Sequence, residues 1–314
     1  MIFVVRHKPN GEHQPLPADQ RLPCELLASA WIDGRDESVA IPTDVQPQSY
    51  VLGATAQGAS AVHTQPAAAT GTEGSLACAL SIDGRTRFVL APLHVFSPTS
   101  VDGQGAVTGA TVRRLVNDAP PFDKRPALTT TSFGGRLARA PVRSFDVQFA
   151  DVSGREEVAV ALAGLKLSVK RPWVRDIGEL GECLADGRVM QILVPSNHLK
   201  RRVADQPPLL AALSMTEADH LLDYIFHDGH GSVLHNTLQL QIRFGDATLP
   251  GDSGCPVVVA NKGDGATLVG MHIAGNSGTG MSFVIPAWRL LAADSYLEVG
   301  GSVPAGSWKL MASV

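Results

Sequence analysis

Ser253 stands in the stretch Pro250-Gly-Asp-Ser-Gly-Cys-Pro256, which runs into the apolar segment Val257–Ala260. A serine set between glycines on a tight loop has what an acyl-transfer nucleophile needs. Small neighbours let a substrate carbonyl approach the backbone, and they free the loop to turn its amide N–H groups toward one point. A serine hydroxyl is unreactive at its own pKa, so this chemistry also requires a neighbouring base and a group that orients that base.

Gly251-Asp-Ser-Gly254 followed by Pro256 resembles the nucleophile loop of the chymotrypsin-like (trypsin-fold) serine proteases, with Cys255 where that family more often has Gly, Ser or Ala. The family orders its triad His, Asp, Ser. Arg87-Phe-Val-Leu-Ala-Pro-Leu-His94-Val-Phe resembles its segment in which an apolar strand ends at the catalytic base. Ser144-Phe-Asp146-Val-Gln-Phe-Ala resembles its aspartate segment, where the acid leads into an alternating strand; Asp118, Asp123 and Asp151 are competing acids. The intervals of 52 and 107 residues suit one barrel carrying His94 and Asp146 and a second carrying Ser253. The resemblance implies attack by Ser253, proton transfer through His94, orientation of the imidazole by Asp146, and an oxyanion hole from the N–H groups of Gly251 and Ser253. It implies neither metal nor organic cofactor.

The resemblance extends to the specificity pocket. Trypsin-like members carry an acid six residues before the serine; Ala247 is there, so a basic P1 residue is not expected. Thr248, and His272 in Gly270-Met-His-Ile-Ala-Gly275-Asn, resemble the Thr and His lining the pocket of glutamyl endopeptidases and picornavirus-type processing proteases. A hydroxyl and an imidazole N–H can both donate to a side-chain carboxylate or amide oxygen. Cleavage after Glu or Gln is therefore expected, with Gly275 leaving room for substrate backbone beside the strand edge. Two family features are missing: no Ile-Val-Gly-Gly activation site precedes Ser75, so Asp252 needs another partner, and Val95 replaces the cysteine after the histidine.

Short strands punctuated by turns must position these residues. Ser75–Ile82, the hairpin dipeptide Asp83-Gly84 and Thr86–Leu90 open the series. Gly109–Val116, Ala127–Thr131, Val147–Val152, Glu157–Ala163, Val189–Val194, Leu238–Phe244, Pro256–Ala260, Thr267–Ile273 and Met281–Ile285 continue it. Two helices are expected: Ala218–Phe226 after the capping box Ser214-Met-Thr-Glu217, and a second from Pro286 to about Ala293. The expected fold is all-β: two six-stranded antiparallel barrels, a few short helices and an N-terminal extension. Residues 1–74 form that extension, in which Ile2–Val5 is a candidate strand, Leu26–Ile32 a strand or short helix, and 54–74 an Ala-rich linker. Residues 75–175 make the first barrel and 176–314 the second.

Composition narrows the partners. The 314 residues are 44% hydrophobic and 18% charged, with 31 Gly and 21 Pro, which is globular and loop-rich. With 26 basic and 30 acidic residues the net charge is −4, against nucleic-acid binding. No apolar run reaches the roughly 18 residues of a membrane span, and Ile2–Val5 is too short for a signal-peptide core. Four cysteines without a CxxC pair suit neither a disulfide framework nor zinc, so a cytoplasmic setting is expected. His220, His227, His230 and His235 form a solvated cluster after a helix rather than a zinc site. The expected partner is a protein or peptide substrate, with residues 1–74 open to an activating partner, an autoinhibitory role or an extension of the first barrel. The alternatives are an inactive protease-fold binding or regulatory module, a viral polyprotein-processing protease, and an esterase. Gly254 directly follows Ser253, so the Gly-x-Ser-x-Gly elbow of α/β-hydrolases is absent.

Overall fold

A computed structural model of the chain describes residues 2–5, 25–32, 35–42, 44–47, 51–52, 62–64, 73–84, 86–96, 112–115, 127–152, 167–185, 187–194, 208–222, 231–243, 246–249, 251–261 and 265–311. The chain divides into two compact units, Met1–Ser49 and Tyr50–Val314. In the first, β1 (Ile2–Val5), β2 (Glu25–Ile32), β3 (Arg35–Pro42) and β4 (Asp44–Pro47) make two small sheets. β2 and β3 pair antiparallel and β1 and β4 parallel. Leu26–Ile32 is thus a strand.

The second unit begins with β5 (Val51–Leu52), β6 (Val62–Thr64), β7 (Glu73–Gly74), β8 (Cys78–Ile82), β9 (Thr86–Ala91), β10 (Val112–Leu115), β11 (Ala127–Arg136) and β12 (Arg143–Asp151). β13 (Met190–Ile192), β14 (Leu209–Leu222), β15 (Ser232–Ile242), β16 (Pro256–Ala260), β17 (Ala266–Asn276), β18 (Met281–Pro286) and β19 (Trp308–Leu310) follow. Helices are short: α1 (Leu93–Phe96), α2 (Ile177–Ala185), α3 (Ala287–Leu290) and α4 (Ala293–Leu297). β13, β14, β15, β18, β17 and β16 pair antiparallel in a closed ring, a six-stranded barrel. The other strands run β7-β6-β10-β11-β12-β9-β8-β19, an open antiparallel path among the described residues. β6 and β7 lie within the Ala-rich stretch that composition marks as linker.

The two sheets meet where β12 pairs in parallel with β15, Arg143 opposite Val233 and Ser144 opposite Leu234. β12 is buried from Ser144 to Ala150, as a strand covered on both faces must be. Its period-2 alternation separates two chemistries. Phe145, Val147 and Phe149 face an aromatic core, with Phe149 edge-on to Phe88 at 6.0 Å and to Trp308 at 5.6 Å, and Phe145 edge-on to Tyr296 at 4.8 Å. Ser144, Asp146 and Gln148 take the opposite, polar face. There the Ser144 hydroxyl accepts from Ala138 N at 2.7 Å and from Ser232 Oγ at 2.6 Å. Ser144→Ala leaves both donors without this acceptor in a buried seam between the sheets. We expect a loss of about 1–3 kcal/mol, read from urea unfolding.

The expected helix at 218–226 is corrected within the described residues. Residues up to Leu222 belong to β14, which pairs with β15 from Ala211 opposite Ile242 to Leu222 opposite Ser232. A capping box is a local signal of about 1 kcal/mol, and an eleven-residue partner strand outweighs it. Register shifts between Leu213 and His220 break the alternation that would have marked the strand. The helix expected from Pro286 to Ala293 is instead two one-turn pieces: Pro286 precedes α3, and the chain bends at Leu291–Ala292 before α4. Conversely, α2 went unread although Asp176 caps it, Oδ1 accepting from Glu179 N at 2.8 Å; Gly178 and Gly181 dilute its helical composition. The expected strand at 157–163 lies outside the described residues.

His220 is not a solvated loop residue either. It is buried on β14 with its ring 4.4 Å from that of Phe283. Burial pushes its pKa down to about 4. The unfolded chain therefore binds a proton below pH ~6.5 that the folded chain refuses until about pH 4. Stability falls as pH drops through that window, by up to about 3 kcal/mol. His220→Phe should flatten the acid side of a urea-midpoint-versus-pH profile.

Candidate active site

Three elements bring the expected residues together. The apolar strand β9 ends at Ala91, Pro92 follows, and α1 turns His94 back toward β12. His94 Nδ1–H donates to Asp146 Oδ2 at 2.5 Å, and the backbone N–H of His94 donates to Asp146 Oδ1 at 3.1 Å. Both carboxylate oxygens thus hold the same residue, fixing its position and its ring. His94 Nε2 lies 2.9 Å from Ser253 Oγ. That hydroxyl also has the Ile273 carbonyl at 3.0 Å as an alternative acceptor. Asp146 and Ser253 are fully buried and His94 is 5% exposed. Among the competing acids, Asp151 is exposed at the end of β12, and Asp118 and Asp123 lie outside the described residues.

The Ser253 loop is shaped by its glycines and by Asp252. Gly251 and Gly254 have φ of 105° and 93°, which side chains resist. A Cβ on Gly254 would sit 1.8 Å from the Ser75 carbonyl oxygen. Asp252 Oδ2 accepts from Leu249 N at 2.7 Å and so staples its own loop. Ser75 N donates to the Ser253 carbonyl at 2.6 Å, and Gly254 N to that of His272 at 2.8 Å. With Asp252, Gly254 and Cys255 amides engaged inside the protein, Gly251 and Ser253 N–H have no backbone acceptor among the described residues.

The expected pocket residues lie on β17 and on the segment before the serine. A Cβ on Gly275 would fall 2.1 Å from Thr248 Oγ1, so these two face each other closely. His272 is fully buried on β17 and its Nδ1 meets Ser282 Oγ, on β18, at 2.8 Å. Sequence reading missed Ser282, as it missed Ser144. Both are serines inside apolar strands, and only the strand pairing reveals what they touch.

No protein-family model matches the chain, and no curated protein matches it. Among solved structures it is similar to the NS6 protease from murine norovirus 1, at 16% identity and a TM-score of 0.33, over 63% of this chain and 80% of that one. Among the described residues, no helix is long and apolar enough to cross a membrane.

Proposed function

We propose that the chain is a serine endopeptidase that cleaves protein substrates through an acyl-enzyme. The observation that carries this reading is the unbroken relay Asp146–His94–Ser253, at 2.5 and 2.9 Å. In the proposed architecture, 75–175 supplies a first barrel with His94 and Asp146, and 176–314 a second with Ser253. Ser253 Oγ attacks the scissile carbonyl while its proton passes to His94 Nε2. The carbonyl oxygen, now negative, is met by the N–H groups of Gly251 and Ser253, each worth about 3 kcal/mol of barrier. His94 returns the proton to the leaving amine as the tetrahedral species collapses. Water then repeats the sequence on the ester, with Asp146 stabilising the imidazolium each time.

For specificity, Ser282 Oγ lies 2.8 Å from His272 Nδ1; with that hydroxyl as donor the ring proton sits on Nε2, where it can donate to a P1 carboxylate or amide oxygen. Thr248 supplies a second donor. Cleavage-site profiling on a denatured proteome should show Glu or Gln before the cut. His272→Ala should reduce that preference by about 10–100-fold while activity toward a small activated ester persists. An unchanged preference in the variant would refute the pocket assignment.

A further inference from the structure

β17 has two hydrogen-bonding edges, and one is taken by β18 from Gly270 to Asn276. Along the other edge the partners change in order. β16 covers it up to Met271. His272 then bonds Cys255 O with its N–H and Gly254 N with its carbonyl. The Ile273 carbonyl lies 3.0 Å from Ser253 Oγ. Directly beyond, Ala274 and Gly275 pair antiparallel with Leu52 and Val51 of β5.

Any extended peptide that presents a bond to Ser253 while adding to this edge must use the same backbone groups of Ala274 and Gly275. Val51–Leu52 already holds them. Its direction is also that of such a peptide, since the order Val51 then Leu52 runs from Gly275 toward Ile273 and the nucleophile. The segment continues in sequence as Gly53-Ala54, neither of which has a side chain that Thr248 or His272 could hydrogen-bond. A second observation agrees. Ser253 and His272 are fully buried and Thr248 is 6% exposed, so all three have little contact with solvent.

We infer that Val51–Leu52 is a resident pseudosubstrate strand that keeps the Ser253 site latent, held by backbone pairing without filling the pocket. The inference rests on the endopeptidase reading and names how that site is regulated. An intramolecular strand competes at an effective concentration of millimolar order. A site open only a fraction of the time weakens apparent substrate binding by that fraction.

The test compares the full-length chain with Val51→Pro/Leu52→Pro. Adjacent residues of an antiparallel pair alternate in which amide faces the partner, so the double change removes a bond in either phase. Hydrogen–deuterium exchange over 273–276 should accelerate in the variant while the Val257–Val259 segment keeps its protection. The KM for a Glu- or Gln-containing peptide should fall roughly tenfold with kcat little changed. Unchanged exchange and unchanged KM, with Ser253 still labelled by a fluorophosphonate in both proteins, would overturn the inference and leave the endopeptidase reading standing. No labelling in either protein would overturn both. Should loss of protection at Val257–Val259 show that the proline pair unfolds the barrel, Val51→Gly/Leu52→Gly, which weakens the strand without removing a donor, carries the same comparison and the same outcomes.

Discussion

In the proposed mechanism Ser253→Ala removes the atom that carries the acyl group, and peptide turnover should fall by about 10⁴- to 10⁶-fold. The fold should hold. The change deletes one buried oxygen, while the loop remains fixed by Ser75 N on the Ser253 carbonyl, Gly254 N on His272 O and Leu249 N on Asp252. His94→Ala should cost a similar factor. Removing both should cost about as much as removing either, because nucleophile and base act as one unit. Steady-state cleavage of a Glu- or Gln-containing peptide checks this, and additive losses in the double variant would argue that the two side chains do not share a step.

Asp146→Asn is the second large effect, an expected drop of about 10⁴-fold. Asp146 accepts from His94 twice, through Oδ2 from the ring and through Oδ1 from the backbone N–H. An amide has a single acceptor oxygen. If it keeps the backbone bond, its NH₂ faces Nδ1 and forces the ring proton onto Nε2, where Ser253 can no longer deliver its own. If it keeps the ring bond, the His94 amide loses its partner in a buried site. A peptidase assay combined with urea unfolding separates the outcomes: the tautomer effect lowers turnover with stability nearly intact, whereas the second also costs about 1–3 kcal/mol.

These two effects rest on residues that the sequence makes visible. Ser253 announces itself through flanking glycines, His94 through the apolar strand before it, and Asp146 through the alternating strand that follows it. The hairpin at Asp83-Gly84 was equally legible, since both residues adopt φ of 50° and 70°, and turn chemistry is local. Less legible were features decided by partners distant in the chain. β14 carries a helix-start signal at Ser214–Glu217 and broken alternation, and only β15 makes it a strand. The return of β19 to pair with β8 depends on Trp308 reaching the aromatic core and on Asp83 accepting from Ser307 N at 2.9 Å. Composition marks none of that. β5 is two residues long and has no periodic signature at all, yet it takes the edge beside the nucleophile. Ser144 and Ser282 look like ordinary strand serines until the sheets are closed around them.

Active-site mapping with a fluorophosphonate on the wild-type chain, Val51→Pro/Leu52→Pro, Ser253→Ala and Asp146→Asn, read by intact mass and peptide mapping, tests the proposed relay. The relay predicts a single adduct on Ser253, formed faster in the proline variant, slowed strongly in Asp146→Asn and absent in Ser253→Ala. An adduct on another residue, or identical labelling of wild type and Ser253→Ala, would contradict it.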